Sequence, residues 1–519
     1  MLFSSHLFIF VFLPIAVVGF RASRNSGYSD LWLIAVSIVF YAFAGAAATI
    51  VVLGSAVANH FISIGLTRVK KPQLRTLALA AAIVSNLLLL GYFKYFPLML
   101  QSLAASLQLD ISMQNVSLPL GISFFTFQQI AYLIDIQSKQ APVPTFRNYL
   151  LFVTFFPQAS SGPINYWHET IPQYQRLGRH SGTLNDLSVG LTIFAFGLFK
   201  KTVFANSLGQ FVDPVFGDPG RPITFVDAWT AAICYALQIY FDFSGYTDMA
   251  IGIGRMFGLR LPINFNSPFK ACNLVDFWRS WHMTMTRFFT DYVYSPLALH
   301  WTRQSIMRRD SRAAQFLIGV ALPTVIAFVL IGWWHGAKWT LILFGAIHAI
   351  GLITNQAWRQ LKWPSPPRIV GWAVTFGFFV TTVVLFRAST LDQAFEIYQI
   401  MAGKHFATFG AIVSELRDAW RYPASQGDLG IPLLSLVSKL THAPQLLIYL
   451  IALVFICAMT PNTMEIMSRY RPALSTAYRG YAGFIQWRMA LGWSVAIAAM
   501  LTFAIINISH VEPFIYVQF

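Results

Sequence analysis

The chain has 519 residues, of which 56% are hydrophobic, 16% aromatic and 11% charged. Soluble proteins carry about 25% charged residues, so a water-soluble globule is excluded, and the composition reads as an all-α polytopic membrane protein. The net charge of +16 does not point to nucleic acid, because no basic run is interleaved with a binding module. Basic residues collect instead in loops of the kind retained in the cytoplasm.

A membrane-crossing helix takes about 20 apolar residues. In chain order, apolar runs fall at 3–20, 30–46, 48–66, 76–100, 119–137, 186–206, 225–253, 313–333, 339–357, 369–386, 445–461 and 489–508. They predict about twelve transmembrane helices. The first run lacks a basic leading region and a small-residue cleavage site, so it reads as a retained span and not a signal peptide. Arg21 and Arg24, then Arg68, Lys70, Lys71 and Arg75, then Lys139 and Arg147 follow alternate spans, and the later loops continue the alternation. The positive-inside rule then puts both termini on the extracytoplasmic side.

Three stretches do not fit simple spans. Residues 146–168 are apolar but broken by Pro157, Gly162 and Pro163, which predicts a re-entrant segment whose freed backbone groups are satisfied by protein. Residues 261–300 mix aromatic and polar residues and read as helices near the cytoplasmic face. Residues 387–444 form the longest extracytoplasmic stretch. It carries Arg417, Asp418, Trp420 and Arg421, and Arg and Trp are enriched at interface hot spots. It is therefore a candidate docking surface for an extracytoplasmic partner, with a lid packed on the bundle as the plainer reading.

Ionisable residues inside apolar runs carry the functional signal, because burying them in lipid is costly. Asp242 and Asp248 sit in Tyr240–Asp248, an otherwise apolar run. Two readings stand: buried acids that orient neighbouring helices by hydrogen bonding, or carboxylates with a direct catalytic role. The second cluster is Phe277-Trp278-Arg279-Ser280-Trp281-His282. Read as one helix, Trp278 and His282 are i,i+4 neighbours on one face and Arg279 projects elsewhere, where it could meet an anion; the alternative is an interfacial aromatic belt. The third is Gly332-Trp333-Trp334-His335-Gly336, where a histidine stands at a break between two apolar runs. A neutral imidazole there could take a proton from a hydroxyl, or could be a core histidine bonded to a carbonyl. His348, within the next run, reads as a satisfied packing histidine.

The cysteines Cys234, Cys272 and Cys457 are too scattered for a disulfide framework or a zinc site. No hydrolase elbow, nucleotide-binding loop or zinc-protease motif is present.

Several stretches in this order resemble the membrane-bound O-acyltransferase family, in its bacterial branch of alginate O-acetylation and teichoic acid D-alanylation type. They are Leu118–Phe124, Phe156-Pro157-Gln158 with Gly162-Pro163-Ile164, Tyr240–Gly252, Phe277-Trp278-Arg279 with Trp281-His282, Asp291-Tyr292, and Trp334-His335-Gly336 with Trp339-Thr340. The resemblance implies a helical bundle around a central tunnel, forming one acyltransferase domain over 1–519. It implies transfer of an acyl group from a cytoplasmic thioester, such as acetyl-CoA, to a hydroxyl acceptor, with no tightly bound cofactor and no metal. It also implies a bacterial inner-membrane location and a periplasmic O-acetyltransferase-type partner within a polysaccharide pathway. His335 matches the family's essential histidine and His282 its second, motif-borne one; Trp278, Arg279, Trp281, Trp334, Asp242 and Asp248 would line the tunnel or bind substrate. The chain departs from the pattern at Ser280, where a second arginine is common, at Leu297–Arg303, and at Lys338. Two other functions compete with the acyltransferase: a transporter using His335, Asp242 and Asp248 as a proton relay, and a non-catalytic scaffold of a polysaccharide export complex. Transporters often carry internal pseudo-symmetry, and the sequence shows no internal repeat.

Overall fold

A computed structural model describes the chain apart from residues 98, 101–102, 104–106, 108–117, 139–141, 160, 179–180, 219–220, 405–442, 476, 479–482, 484, 509–513 and 516–519. Among the described residues the regular structure is helical throughout, without strands. Every apolar run read as a span contains a helix: Phe8–Ser23, Ser29–Ala42, Ala46–Arg68, Pro72–Lys94, Ile122–Gln137, Leu184–Phe216, Phe225–Met256, Arg312–His335, Trp339–Gln360, Arg368–Arg387, Ala443–Met459 and Leu491–Ile506. Among the described residues, six are long and apolar enough to cross a membrane: Ala46–Arg68, Pro72–Lys94, Leu184–Phe216, Arg312–His335, Trp339–Gln360 and Arg368–Arg387. Four more are apolar but shorter. Ile122–Gln137 has 16 residues and buries Gln128, Gln129 and Asp135, and Phe225–Met256 carries Asp227 and Arg255 as well as Asp242 and Asp248. Those polar residues lower the apolar character on which a spanning assignment rests.

The chain divides into two compact units. The first comprises Met1–Gly197, Tyr246–Ile263 and Met467–Tyr481; the second comprises Leu198–Gly245, Asn264–Ile466 and Ala482–Phe519.

In the first unit, the segment 146–168 breaks as its prolines predict. Helix Phe146–Thr154 is followed by the turn Phe156–Gln158, and helix Trp167–Tyr174 resumes beyond it. Residues 155–159 and 161–166 of the link are buried, and Gly162 is required there, since a Cβ would stand 2.4 Å from the Gln158 Cα. The side chain of Gln128 donates to the Phe152 carbonyl at 3.1 Å and to Gln158 Oε1 at 3.3 Å. Protein thus satisfies a carbonyl at the end of the interrupted helix. Buried polar pairs tie the neighbouring helices: the Tyr149 hydroxyl donates to Gln129 Oε1 at 3.0 Å, Gln129 Nε2 donates to Ser55 Oγ at 2.9 Å, and the Asn59 and Asn86 amides bond each other at 3.1 and 2.8 Å. Interhelical bonds of this kind contribute about 0.6 kcal/mol each in a membrane.

In the second unit, Arg312–His335 and Trp339–Gln360 form a helical hairpin. Glycines bring the two backbones together: a Cβ on Gly332 would stand 2.3 Å from the Leu341 carbonyl oxygen, and one on Gly345 2.2 Å from that of Phe328. The stretch expected as one long extracytoplasmic loop holds a helix, Leu391–Met401. It buries Gln393, Ala394, Ile397, Ile400 and Met401, and Gln393 Nε2 donates to the Phe216 carbonyl at 3.0 Å. Arg417, Asp418, Trp420 and Arg421 lie outside the described residues. The 261–300 region consists of short helical pieces, Pro268–Lys270, Leu274–Ser280, Met283–Phe289, Thr290–Tyr294 and the start of Ser295–Met307.

Candidate functional site

His335 is the last residue of its helix, and the chain turns off at Gly336, whose N–H donates to the Trp333 carbonyl at 3.1 Å. The close glycine-mediated hairpin holds this break in place. His335 is 4% exposed. Its ring lies 4.8 Å from Trp334 and 5.0 Å from Phe386, so two aromatic rings flank the imidazole.

His282 stands at a second break, and here the single-helix reading of 277–282 is overturned. Helix Leu274–Ser280 ends one residue before Trp281, which is extended, and His282 is left-handed with φ 43° and ψ 50°. Trp278 and His282 therefore do not share a helical face. A non-glycine residue in this conformation costs on the order of 1–2 kcal/mol, and the surrounding bonds hold it there. Met283 N–H donates to the Asn264 carbonyl at 2.9 Å, Thr284 Oγ1 donates to Asn264 Oδ1 at 2.6 Å, and Asn266 N–H donates to the Ser280 carbonyl at 3.0 Å. Asn264 is one residue that the sequence reading missed, because its pairing is not a helical spacing.

The His282 side chain is fully buried. It meets the Phe243 ring edge-on at 4.6 Å and lies 6.3 Å from Trp334. Burial pushes the imidazole down to about 3, so it is neutral at any working pH. Trp334 thus neighbours both histidines.

Trp278 has a different partner. Its indole N–H donates to His348 Nδ1 at 3.1 Å, and His348 Nε2 lies 3.0 Å from Thr382 Oγ1. Since Nδ1 accepts, the ring proton sits on Nε2 and is donated to the threonine. His348 is a satisfied packing histidine, as expected. Trp281 is 4% exposed and packs against Phe277, Phe265 and Phe379 at 5.5, 5.1 and 4.9 Å, so it is part of the aromatic core. Arg279 points outward, with its side chain 74% exposed and 4.0 Å from Asp276. A surface pair of this kind contributes about 0–1 kcal/mol.

Asp242 is 1% exposed, with Oδ1 2.5 Å from Lys201 Nζ and Oδ2 accepting the Ile515 backbone N–H at 2.9 Å. It therefore joins the segments that hold Lys201 and Ile515, through a lysine that the sequence reading did not single out. The available signal was Lys201 itself, a cation in an apolar run that requires a buried acid. Asp248 belongs to the first unit, where it is 6% exposed. His282, His335, Trp278, Trp281, Trp334, Arg279 and Asp242 all belong to the second. Among the described residues, no three His, Cys, Asp or Glu side chains gather as a metal site.

A buried imidazole flanked by aromatic rings can act as a general base on a hydroxyl. Comparison with known proteins bears on which hydroxyl chemistry this is. Residues 133–390 match the family model of the membrane-bound O-acyltransferase family. The chain is 36% identical over 436 residues to the peptidoglycan O-acetyltransferase of Helicobacter pylori, covering 78% of this chain and 80% of the relative. It is 34% identical over 417 residues to a protein of Azotobacter vinelandii named probable alginate O-acetylase, covering 77% and 78%. A teichoic acid D-alanyltransferase of Streptococcus thermophilus matches at 28% over 254 residues, covering 47% and 58%.

Proposed function

The chain belongs to the membrane-bound O-acyltransferase family, and from that premise we propose that it moves an acetyl group from a cytoplasmic thioester across the membrane to a hydroxyl of an exopolysaccharide or cell-wall glycan. The donor is acetyl-CoA or another acyl thioester, with no tightly bound cofactor. The observation that carries this reading is the buried His335 at its helix break, in a ring cluster whose Trp334 also neighbours His282. His335 is the general base. The acceptor oxygen attacks the thioester carbonyl as His335 takes the hydroxyl proton. The carbon–sulfur bond then breaks, and the departing thiolate receives a proton to leave as the thiol. Thioesters are already activated, so the protein's part is orientation, proton transfer and exclusion of water.

Relatives named for peptidoglycan and alginate acetylation support a glycan acceptor. They favour transfer chemistry over a transporter or a scaffold. The chain functions as one acyltransferase domain with about twelve transmembrane helices in the bacterial inner membrane, both termini extracytoplasmic. A periplasmic O-acetyltransferase-type partner docks on the 387–444 stretch and carries the acetyl group on to the polysaccharide.

Wild-type protein co-purified with its periplasmic partner in nanodiscs, given acetyl-CoA and a cell-wall glycan oligosaccharide, should release free thiol in step with ester formation. Absence of thiol release contradicts the reading. Replacing Trp420 and Arg421 with alanine should weaken partner co-purification and glycan acetylation while sparing acetyl-CoA turnover.

A further inference from the structure

Lys201 and Asp242 form a buried ion pair, 5% and 1% exposed. Lys201 lies within the apolar helix Leu184–Phe216, at a π-helical turn spanning Lys200–Ala205. Turns of this type recur at functional positions. Desolvation makes such a pair a weak source of stability, and an apolar pair of the same shape often serves the fold as well.

The second carboxylate oxygen gives the pair another task. Asp242 Oδ2 accepts the backbone N–H of Ile515, a charge-assisted bond roughly twice as strong as a neutral one. The adjoining Phe514 is 3% exposed and packs at 5.4 Å on Phe243. Phe243 is the ring that meets His282 edge-on, at an interplanar angle of 89°. An unbroken line of contacts thus leads from Lys201 through Asp242, Ile515, Phe514 and Phe243 to His282.

We propose that Lys201 and Asp242 are positioning residues for acyl transfer, clamping the Phe514–Ile515 segment so that it backs Phe243 and fixes the ring plane of His282. The inference rests on the reading that His282 belongs to the acyl-transfer site. A displacement of about 1 Å at a reacting centre costs on the order of 10²-fold in rate, so a clamp this far from His335 can still govern turnover.

The test uses the full chain in nanodiscs with its co-purified periplasmic partner, with acetyl-CoA as donor and a peptidoglycan oligosaccharide as acceptor, reading kcat, donor KM and thermal unfolding. Ile515→Pro removes the N–H and leaves the ion pair intact. Phe514→Ala removes the backing ring. Lys201→Met with Asp242→Leu replaces the ion pair by an apolar one. Each variant should lower kcat by about 10-fold to 100-fold, with donor KM changed by less than about twofold, the signature of an interaction made in the transition state. The doubly substituted protein should unfold at the wild-type temperature and still turn over slowly, which a purely structural role would not produce. Wild-type kcat in Ile515→Pro or in Phe514→Ala overturns the clamp, whether or not the doubly substituted protein folds. A wild-type protein that consumes no thioester would instead overturn the acyl-transfer reading of the site, and the clamp with it.

Discussion

The indole of Trp334 stands 6.3 Å from the imidazole of His282, with an interplanar angle of 56°. The same indole lies 4.8 Å from His335, its neighbour in sequence. The two histidines come from different breaks in the second unit, one closing a long apolar helix and one strained between two short helices. They differ in constraint as well as in position.

His282→Ala should lower acetyl transfer less than His335→Ala, because His282 positions the site and does not carry the reacting proton. With an imidazole held near 3, it does not titrate in the working range. The pH–rate profile of a His282→Gln variant should therefore keep the wild-type acidic limb. A profile that loses this limb, or a more severe loss at His282 than at His335, exchanges the two assignments.

The same burial makes stability depend on pH. The unfolded chain binds a proton at this histidine below about 6.5, whereas the folded chain does so only near 3. Between these values the unfolded state holds the extra proton, so this contribution to stability is complete above pH 6.5 and is lost as pH falls, by up to about 1.4 kcal/mol per unit. The unfolding temperature in detergent should drop more steeply for wild type than for His282→Gln between pH 7.5 and pH 5.5. Parallel curves would contradict this.

Trp278→Phe should leave His348 Nδ1 buried without its donor. An unsatisfied buried acceptor costs about 1–3 kcal/mol, and the bond lost joins helix Leu274–Ser280 to helix Trp339–Gln360. Urea or thermal unfolding should register the loss, while the transfer rate at low temperature stays close to wild type. An unchanged stability would mean that the indole–imidazole bond contributes nothing net.

Both termini should label from the extracytoplasmic side. Leu2→Cys and Gln518→Cys, each made in a Cys272→Ser background, should react with an impermeant maleimide in intact spheroplasts. Cys234 and Cys457 are buried and should give little background. Protection of either engineered cysteine would break the charge alternation of the loops.

The helices were legible in the sequence because each needed only a local run of apolar residues, and Pro157 marked the interruption in 146–168. The helix break at His335 was legible because Trp-His-Gly stands alone between two such runs. The conformation of His282 was not: Trp278-Arg279-Ser280-Trp281-His282 carries an acceptable helical spacing, and what ends the helix is pairing with Asn264 and Asn266 in the preceding segment. Lys201 was passed over because its partner Asp242 lies 41 positions away, beyond any local pattern. Asp242 and Asp248 looked alike in one apolar run, yet only Asp242 forms the Lys201 pair in the second unit.

The general-base assignment of His335 is tested most directly by single-turnover acetyl transfer with a wild-type and a His335→Ala protein, both shown to be folded and inserted. A general base contributes about 10²–10⁴-fold, equivalent to about 3–5 kcal/mol of transition-state stabilisation. The variant should bind donor normally and form acetyl ester slower by that factor. A well-folded His335→Ala protein that acetylates its acceptor at the wild-type rate would contradict the account.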